Sequence, residues 1–187
     1  IIGGGITGAA AAYWLAREGG KVALIEQRTI AAMGSGWSLG GVRQSGRDPA
    51  ELPLARAAVA LWPSLGEQLG ADVEYRRQGN VRLARTEAEV GVIRQLVESQ
   101  RALGLDLTFL PDNTSVREVA PALSAEMLAA SFCPTDGHAN PAAATRAFAA
   151  AARRHGADIR EGAKVVGAVR DGGGFAVETN IGLTLRA

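Results

Sequence analysis

The sequence has little cysteine and histidine, with one Cys and two His among 187 residues. One cysteine excludes an internal disulfide framework. The two histidines have no Cys or His neighbours at ligand spacing, so no metal site is predicted. Cys133 ends an apolar stretch, and we interpret it as a small buried hydrophobic residue rather than a point of cofactor attachment.

Long apolar runs and an excess of one charge are also missing. No run approaches the roughly 18 residues of a transmembrane helix, and no basic segment precedes an apolar one as in a secretion signal. The net charge is +1, which argues against nucleic acid or an anionic membrane as the main partner. We therefore expect a cytoplasmic protein without a transmembrane segment.

The first residues carry a glycine motif. Gly3, Gly5 and Gly8 form G-x-G-x-x-G between a short apolar strand and an alanine-rich helix predicted over residues 6–18. A second apolar strand is predicted over residues 21–26. The order of strand, glycine turn, helix and strand is typical of a dinucleotide-binding unit.

Each residue type in this unit has a mechanical role. Gly3 allows a tight turn, Gly5 lets the backbone approach a pyrophosphate, and Gly8 lets helix and strand pack closely. The helix N-terminus offers free N–H groups to the phosphates. Glu26 ends the second strand, where a carboxylate accepts hydrogen bonds from ribose hydroxyls and disfavours a 2′-phosphate.

The segment after the second strand favours FAD over NAD. An NAD-binding half continues at once with a helix and a strand, whereas here the next element of the sheet is not evident until about Asp158. The Gly/Ser-rich residues 29–49 are interpreted as a long functional loop. FAD is longer than NAD in its reactive half, and a second glycine-rich loop reaching that half suits its binding.

Periodicity and caps predict the other helices. Apolar spacing over residues 50–70 predicts a kinked helix or two short ones, because Pro63 interrupts it. Thr86 and Glu89 form a capping box for another helix. Further helices are predicted near residues 115–119 and, after the cap at Asn140-Pro141, over residues 142–155.

The remaining strands are short. Single strands are predicted over residues 80–84, 107–110 and 127–133, and Asp136-Gly137 is interpreted as a turn. A three-strand meander is predicted over residues 158–170, 175–179 and 183–187.

The two ends predict an incomplete protein. Ile1-Ile2 is shorter than the roughly five or six apolar residues of a buried first strand. The strand predicted at the other end has nothing after it to pair with or cover it. We expect residues to be missing on both sides, and this fragment alone to be inactive.

Residues 36–40 also fit G-x-S-x-G, the nucleophile elbow of hydrolases. That motif needs a buried strand before the serine and a helix after it. Neither is predicted, so the hydrolase interpretation is not favoured.

Four segments carry a resemblance to a known family, namely residues 1–8, 23–27, 34–44 and 136–141. They resemble the D-amino-acid oxidase superfamily of FAD-dependent oxidoreductases, most closely its sarcosine oxidase β-subunit and glycine oxidase branch. The first segment is shared with many flavoproteins, whereas the last two are specific to fewer protein families. The likeness runs along essentially the whole chain but covers only the N-terminal part of a family member.

The resemblance implies an α/β fold with two domains. One is a Rossmann-like FAD-binding domain of the glutathione-reductase type, with G-x-G-x-x-G and a β-meander, formed by residues 1–70 and 139–187. The other is an inserted α+β substrate domain, of which residues 71–138 form a part. Both domains are expected to be incomplete.

The implied reaction is FAD-dependent oxidation of the C–N bond of a small amino or imino acid such as sarcosine, glycine or a D-proline-like compound. A hydride passes to flavin N5, and the resulting imine is hydrolysed. Two alternatives stay open: an FAD-dependent dehydrogenase of a 2-hydroxy acid or glycerol phosphate, and a non-catalytic nucleotide-binding subunit or fragment. Partner subunits of a hetero-oligomeric oxidase also stay open.

The resemblance further implies site residues, although it assigns no catalytic residue. Arg43 matches the arginine that holds the substrate carboxylate in the sarcosine oxidase branch, and its planar guanidinium suits a bidentate contact. The alternative is that Arg43 packs against a flavin phosphate or a surface acid. Residues implied to contact the cofactor are Gly3, Gly5, Ile6, Thr7, Gly8, Glu26, Gln27, Ser35, Gly36, Leu39, Gly40, Gly41 and Val165.

Overall fold

The computed structural model describes residues 1–187 as a mixed α/β chain. The helices are α1 (Ile6–Arg17), α2 (Gly34–Trp37), α3 (Leu52–Leu69), α4 (Glu87–Ala102), α5 (Asn113–Val119) and α6 (Pro141–Arg154). The strands are β1 (Ala23–Ile25), β2 (Gly41–Val42), β3 (Asn80–Ala84), β4 (Thr108–Leu110), β5 (Ala129–Cys133), β6 (Gly137–His138), β7 (Asp158–Arg160), β8 (Val165–Asp171), β9 (Gly174–Thr179) and β10 (Thr184–Arg186). No helix combines the length and hydropathy that a membrane crossing requires.

The strands form four small sheets. β1 and β7 pair in parallel, whereas β8, β9 and β10 form an antiparallel meander. β5 lies between β3 and β4 with antiparallel pairing on both sides, and β2 pairs with β6, also antiparallel. Several partners are therefore distant in sequence, which local periodicity does not reveal.

The chain divides into two compact units. Unit 1 consists of residues 1–40, 64–74 and 140–187, and unit 2 consists of residues 41–63 and 75–139. Each unit is built from separate stretches of sequence, so neither unit can complete its fold until distant segments come together.

Unit 1 contains the predicted glycine turn, helix and second strand, whereas the predicted first strand is only an isolated parallel bridge between Ile2 and Ile25. α1 forms because its alanine-rich sequence has high helix propensity, and it packs against α6, with the Tyr13 and Phe148 rings 5.8 Å apart. α6 begins at the predicted cap: the Asn140 side chain accepts a hydrogen bond from the Ala143 N–H at 3.0 Å.

Unit 2 is held together by the β3–β5–β4 sheet and α4. The capping box predicted at Thr86 and Glu89 is present at the start of α4. Cys133 is fully buried in the largest apolar cluster of this unit, which confirms the interpretation of it as a core residue. The other buried residues of that cluster are Leu52, Ala84, Ile93, Val97, Leu105, Leu107 and Ala129.

The prediction of a loop without regular structure over residues 29–49 is wrong in part. Gly34–Trp37 form α2 and Gly41–Val42 form β2. α2 is fixed because Ser35 Oγ accepts the Ile6 N–H at 2.9 Å, and β2 is fixed by pairing with β6. Both stabilising partners lie far away in sequence.

Three other predictions differ in detail from the structure. The predicted meander strand over residues 158–170 is two strands, because β7 pairs with β1 and only β8 joins the meander. The turn predicted at Asp136-Gly137 lies at residues 134–135, because Gly137 pairs with Val42. α3 is one helix that continues through Pro63.

Candidate functional site

The glycine turn of unit 1 depends on two glycines with different requirements. Gly3 has φ +100°, a conformation that L side chains rarely adopt, and its N–H donates to the Ile25 carbonyl at 2.8 Å. A Cβ on Gly8 would collide with the Gly3 carbonyl oxygen. The turn and the start of α1 can approach this closely only with glycine at both positions.

The N-terminus of α1 offers unpaired donors. Ser35 Oγ satisfies the Ile6 N–H, whereas the N–H groups of Thr7 and Gly8 have no hydrogen-bond partner within the chain. A Cβ on Gly5 would lie 2.9 Å from Ser35 Oγ, so only glycine leaves space there. Free N–H groups at the positive end of a helix dipole can hold an anion.

The carboxylate of Glu26 is fixed at the end of β1 by two backbone groups. Its Oε2 accepts the Gly4 N–H at 2.7 Å, and its Oε1 accepts the Arg28 N–H at 2.7 Å. Each carboxylate oxygen can accept more than one hydrogen bond. Glu26 is only partly buried, so it can also accept hydrogen bonds from a ligand.

Two cavities meet at Glu26. One of about 220 Å³ is lined by Gly3, Glu26, Gln27 and Val165 together with Ile2, Ile25, Ala163 and Lys164. The other, of about 70 Å³, is lined by Gly5, Glu26 and Ser35 together with Gly4, Ala31, Ala32, Met33 and Gly34. The structure thus brings together six of the predicted cofactor residues, beside the α1 N-terminus that carries Ile6, Thr7 and Gly8.

Other predicted residues lie outside these cavities. Gly36, Leu39 and Gly40 line neither of them, and the Leu39 side chain is fully exposed. Gly41 and Arg43 belong to unit 2.

Arg43 follows β2 within unit 2 and is partly buried. Its carbonyl oxygen accepts a hydrogen bond from Arg47 Nε at 3.4 Å. Its guanidinium makes no hydrogen bond or ion pair within the chain. A partly desolvated guanidinium without a partner is suited to an external anion.

No sequence pattern indicates the residues that fix the segment after Glu26. Ala31 has φ +66°, and its N–H donates to the Gly4 carbonyl at 3.1 Å. Glu161 accepts the Ile30 N–H at 2.6 Å and pairs with Arg153 at 3.1 Å. These contacts join segments that are distant along the chain, so no local pattern marks them.

The geometry does not support a catalytic nucleophile at Ser38 or at Cys133. Ser38 follows the one-turn helix α2 and precedes β2, the reverse of the strand and helix that a nucleophile elbow requires. Burial raises the pKa of the Cys133 thiol, which disfavours the reactive thiolate.

Comparisons with known proteins agree along the whole chain. The sequence model of the DAO family, described as FAD dependent oxidoreductase, matches residues 1–187. Glycine oxidase of Bacillus subtilis (strain 168) is 31% identical over 189 residues, covering 97% of this chain and 50% of that protein. Sarcosine oxidase subunit beta of Arthrobacter sp is 28% identical over 186 residues, covering 92% of this chain and 44% of that protein.

A solved structure is similar over the same extent. The crystal structure of L-proline dehydrogenase from P. horikoshii matches with a TM-score of 0.89 and 32% identity, covering 99% of this chain and 49% of that one. The chain therefore spans about half the length of the relatives that it matches.

Proposed function

The chain belongs to the DAO family of FAD-dependent oxidoreductases, and on that premise we propose that the whole protein oxidises the C–N bond of a small amino or imino acid. FAD, when bound, supplies the acceptor for the hydride that leaves the carbon beside the nitrogen. That carbon and the nitrogen are left as an imine, which water hydrolyses. Relatives named for glycine, sarcosine and L-proline support this class of substrate.

One observation carries the cofactor part of this proposal: the fixed carboxylate of Glu26 lines both cavities beside the α1 N-terminus. In a Rossmann-like arrangement, the free N–H groups of Thr7 and Gly8 would donate to the pyrophosphate of FAD. Glu26 would accept hydrogen bonds from the ribose hydroxyls. Val165, in the larger cavity, would contact the adenine.

The remaining proposed contacts come from the second glycine loop. This loop would contact the cofactor through Gly36, Leu39, Gly40 and Gly41. The exposed side chain of Leu39 is compatible with this role. Arg43 would hold the carboxylate of the substrate in a bidentate contact, because its guanidinium has no partner within the chain. No residue of this chain is proposed as a proton donor or acceptor.

The domain assignment is also a proposal. Residues 1–70 and 139–187 would form the cofactor domain, and residues 71–138 would belong to the substrate domain. Assembly with partner subunits and a cytoplasmic location are predictions of the same kind, and the relative named as a sarcosine oxidase β-subunit supports the former.

The experiment that tests the function is anaerobic reduction of the FAD-loaded whole protein. We expect glycine, sarcosine or D-proline to bleach the visible flavin absorbance, and glycolate and glycerol 3-phosphate to leave it unchanged. Arg43→Ala should raise the KM about tenfold or more with a smaller change in kcat, since it removes a bidentate carboxylate contact. Arg101→Ala, in the last turn of α4, is the matched control and should leave both constants unchanged.

Each contrary result points to a different function. Bleaching by glycolate or glycerol 3-phosphate alone would assign oxidation of a hydroxyl group instead. Tight FAD binding without bleaching by any of these compounds would favour a non-catalytic nucleotide-binding subunit.

A further inference from the structure

A buried carboxylate holds the segment that directly follows Arg43. Asp136 has no solvent-exposed surface. Its Oδ1 accepts the Gln44 N–H at 2.8 Å, and its Oδ2 accepts the Ser45 N–H at 3.2 Å and the Ser45 hydroxyl at 2.5 Å. All these residues belong to unit 2, and none of them was assigned a role at the proposed site.

A side-chain hydrogen bond and the pairing of two strands also restrain the same segment. Gln44 Nε2 donates to Thr135 Oγ1 at 2.7 Å, so the residue before Asp136 also holds Gln44. On the other side of Arg43, Val42 pairs with Gly137 in the β2–β6 ladder. Arg43 is thus held on both sides by residues 135–137, while its guanidinium has no partner.

The chemistry of the contact favours a charged group over a neutral one. A buried charge is tolerated only when it is well hydrogen-bonded, and the carboxylate of Asp136 receives three donors. Hydrogen bonds to an ionised acceptor are shorter and stronger than neutral ones. An amide of the same size would direct an NH₂ group at one of these donors, so Asn could not reproduce the set.

A two-residue ladder alone is a weak restraint on the backbone at Arg43. β2 contains only Gly41 and Val42, and Arg43 lies beyond its end. A long arginine side chain loses substantial rotamer freedom when it binds. Fixing its backbone in advance lowers the cost of presenting the guanidinium in one orientation.

We propose that Asp136 is a positioning residue for Arg43: its carboxylate fixes the backbone at Gln44 and Ser45 so that the Arg43 guanidinium meets the carboxylate of the substrate in one orientation. The proposal rests on the proposed function, in which Arg43 binds that carboxylate. Asp136 itself touches neither substrate nor cofactor.

The first test measures the affinity of the FAD-loaded whole protein for acetate, through the change that acetate causes in the flavin absorbance. Asp136→Asn should raise the Kd about tenfold, and Arg43→Ala should raise it at least as much. In the Arg43→Ala background, Asp136→Asn should change the Kd less than about twofold, because two residues that act through one contact are not additive. Equal effects in both backgrounds would overturn the proposal and leave Asp136 a purely structural role.

A control variant separates positioning of Arg43 from loss of a serine–carboxylate contact elsewhere in unit 2. Asp112 also accepts hydrogen bonds from a serine, at 2.8 Å from the Ser115 N–H and 3.0 Å from its hydroxyl, as the cap of α5 in unit 2. Asp112→Asn should leave the Kd for acetate unchanged. If Asp136→Asn fails to fold, Ser45→Ala removes only the hydroxyl donor and should raise the Kd by a smaller factor, again only when Arg43 is present.

A second readout does not depend on any substrate. The amide hydrogens of Gln44 and Ser45 should exchange slowly in the native protein and much faster in Asp136→Asn. Unchanged exchange would overturn the positioning role while the function of Arg43 could stand. If the native protein binds no acetate and oxidises no amine, the proposed function fails and the positioning role falls with it, although the amide exchange would still show the restraint.

Discussion

The carboxylate of Glu26 illustrates how one residue can serve both fold and ligand. Its two oxygens accept N–H groups from Gly4 and Arg28, and these bonds fix its orientation at the end of β1. The same orientation keeps the carboxylate at the junction of two cavities. Any ligand seated there would meet an acceptor that needs no rearrangement, which lowers the cost of binding.

Substituting Glu26 by Gln should therefore weaken FAD binding. A hydrogen bond to a charged group contributes about 1.5–3 kcal/mol, so Glu26→Gln should raise the Kd for FAD by roughly tenfold to a hundredfold. Quenching of flavin fluorescence during titration measures this Kd. Glu178→Gln, an exposed change on β9 of the same unit, is the control, and an equal effect of both variants would contradict the role of Glu26.

The buried thiol of Cys133 gives a second prediction at this scale. Burial raises the pKa of the thiol, so little thiolate forms at mildly alkaline pH and the side chain is shielded from reagents. A thiol reagent should react slowly with the native protein and rapidly after denaturation. Rapid labelling without loss of structure would contradict the burial of this side chain.

Single residues were predictable where their partners are local. The glycine turn and Glu26 follow a short sequence pattern, and the structure brings these residues together. No pattern marks Asp136 as the partner of Ser45, because the two are distant in sequence and meet next to the paired strands β2 and β6.

At the scale of elements, α1 and α4 contain glycines with opposite requirements. A Cβ on Gly8 would collide with the Gly3 carbonyl, whereas a Cβ on Gly91 in α4 would meet nothing within 4 Å. Gly8→Ala should destabilise the protein by about 1–3 kcal/mol through overpacking. Gly91→Ala should stabilise it by up to about 1 kcal/mol through helix propensity. Denaturant unfolding measures both, and changes of the same sign would contradict the close approach at Gly8.

The capping box of α4 predicts a dependence of stability on pH. Hydrogen bonds from the backbone N–H groups of Arg85 and Thr86 lower the pKa of Glu89. Because the folded-state pKa lies below the unfolded one, this contribution is fully present above the unfolded pKa and is lost as the pH falls through the folded pKa. Glu89→Gln should therefore destabilise the protein at neutral pH, with a difference that shrinks in acid.

Glu87→Gln provides the control for this pH effect. Glu87 lies in the same helical turn but makes no such hydrogen bond with its side chain. Unfolding curves measured from neutral to acidic pH should show the shrinking difference for Glu89→Gln only.

Elements with their own start signals were predictable, and elements that depend on distant partners were not. α4 and α6 begin at caps visible in the sequence, and both begin there in the structure. β2 and β7 have only two and three residues, and each forms because a strand from another part of the chain pairs with it. Short strands carry too few residues for periodicity to identify them.

At the scale of the whole molecule, binding of FAD should protect separate stretches of sequence together. A ligand that binds only the folded state stabilises it by mass action. In the presence of FAD we expect slower amide exchange at residues 3–8, 26–35 and 163–165, since each of these stretches contributes residues to the lining of the two cavities. Protection of only one stretch would contradict a single site built from all three.

The assembly of unit 1 from distant segments also affects folding during synthesis on the ribosome. Ala23 of β1 pairs with Asp158 of β7, so at a translation rate of roughly 5–20 residues per second β1 waits on the order of ten seconds for its partner. Every residue of unit 2 precedes Asn140, so unit 2 leaves the ribosome in full before β7 does. Nascent chains should therefore be most open to aggregation, and to capture by chaperones, in the interval after β1 has emerged and before β7 follows.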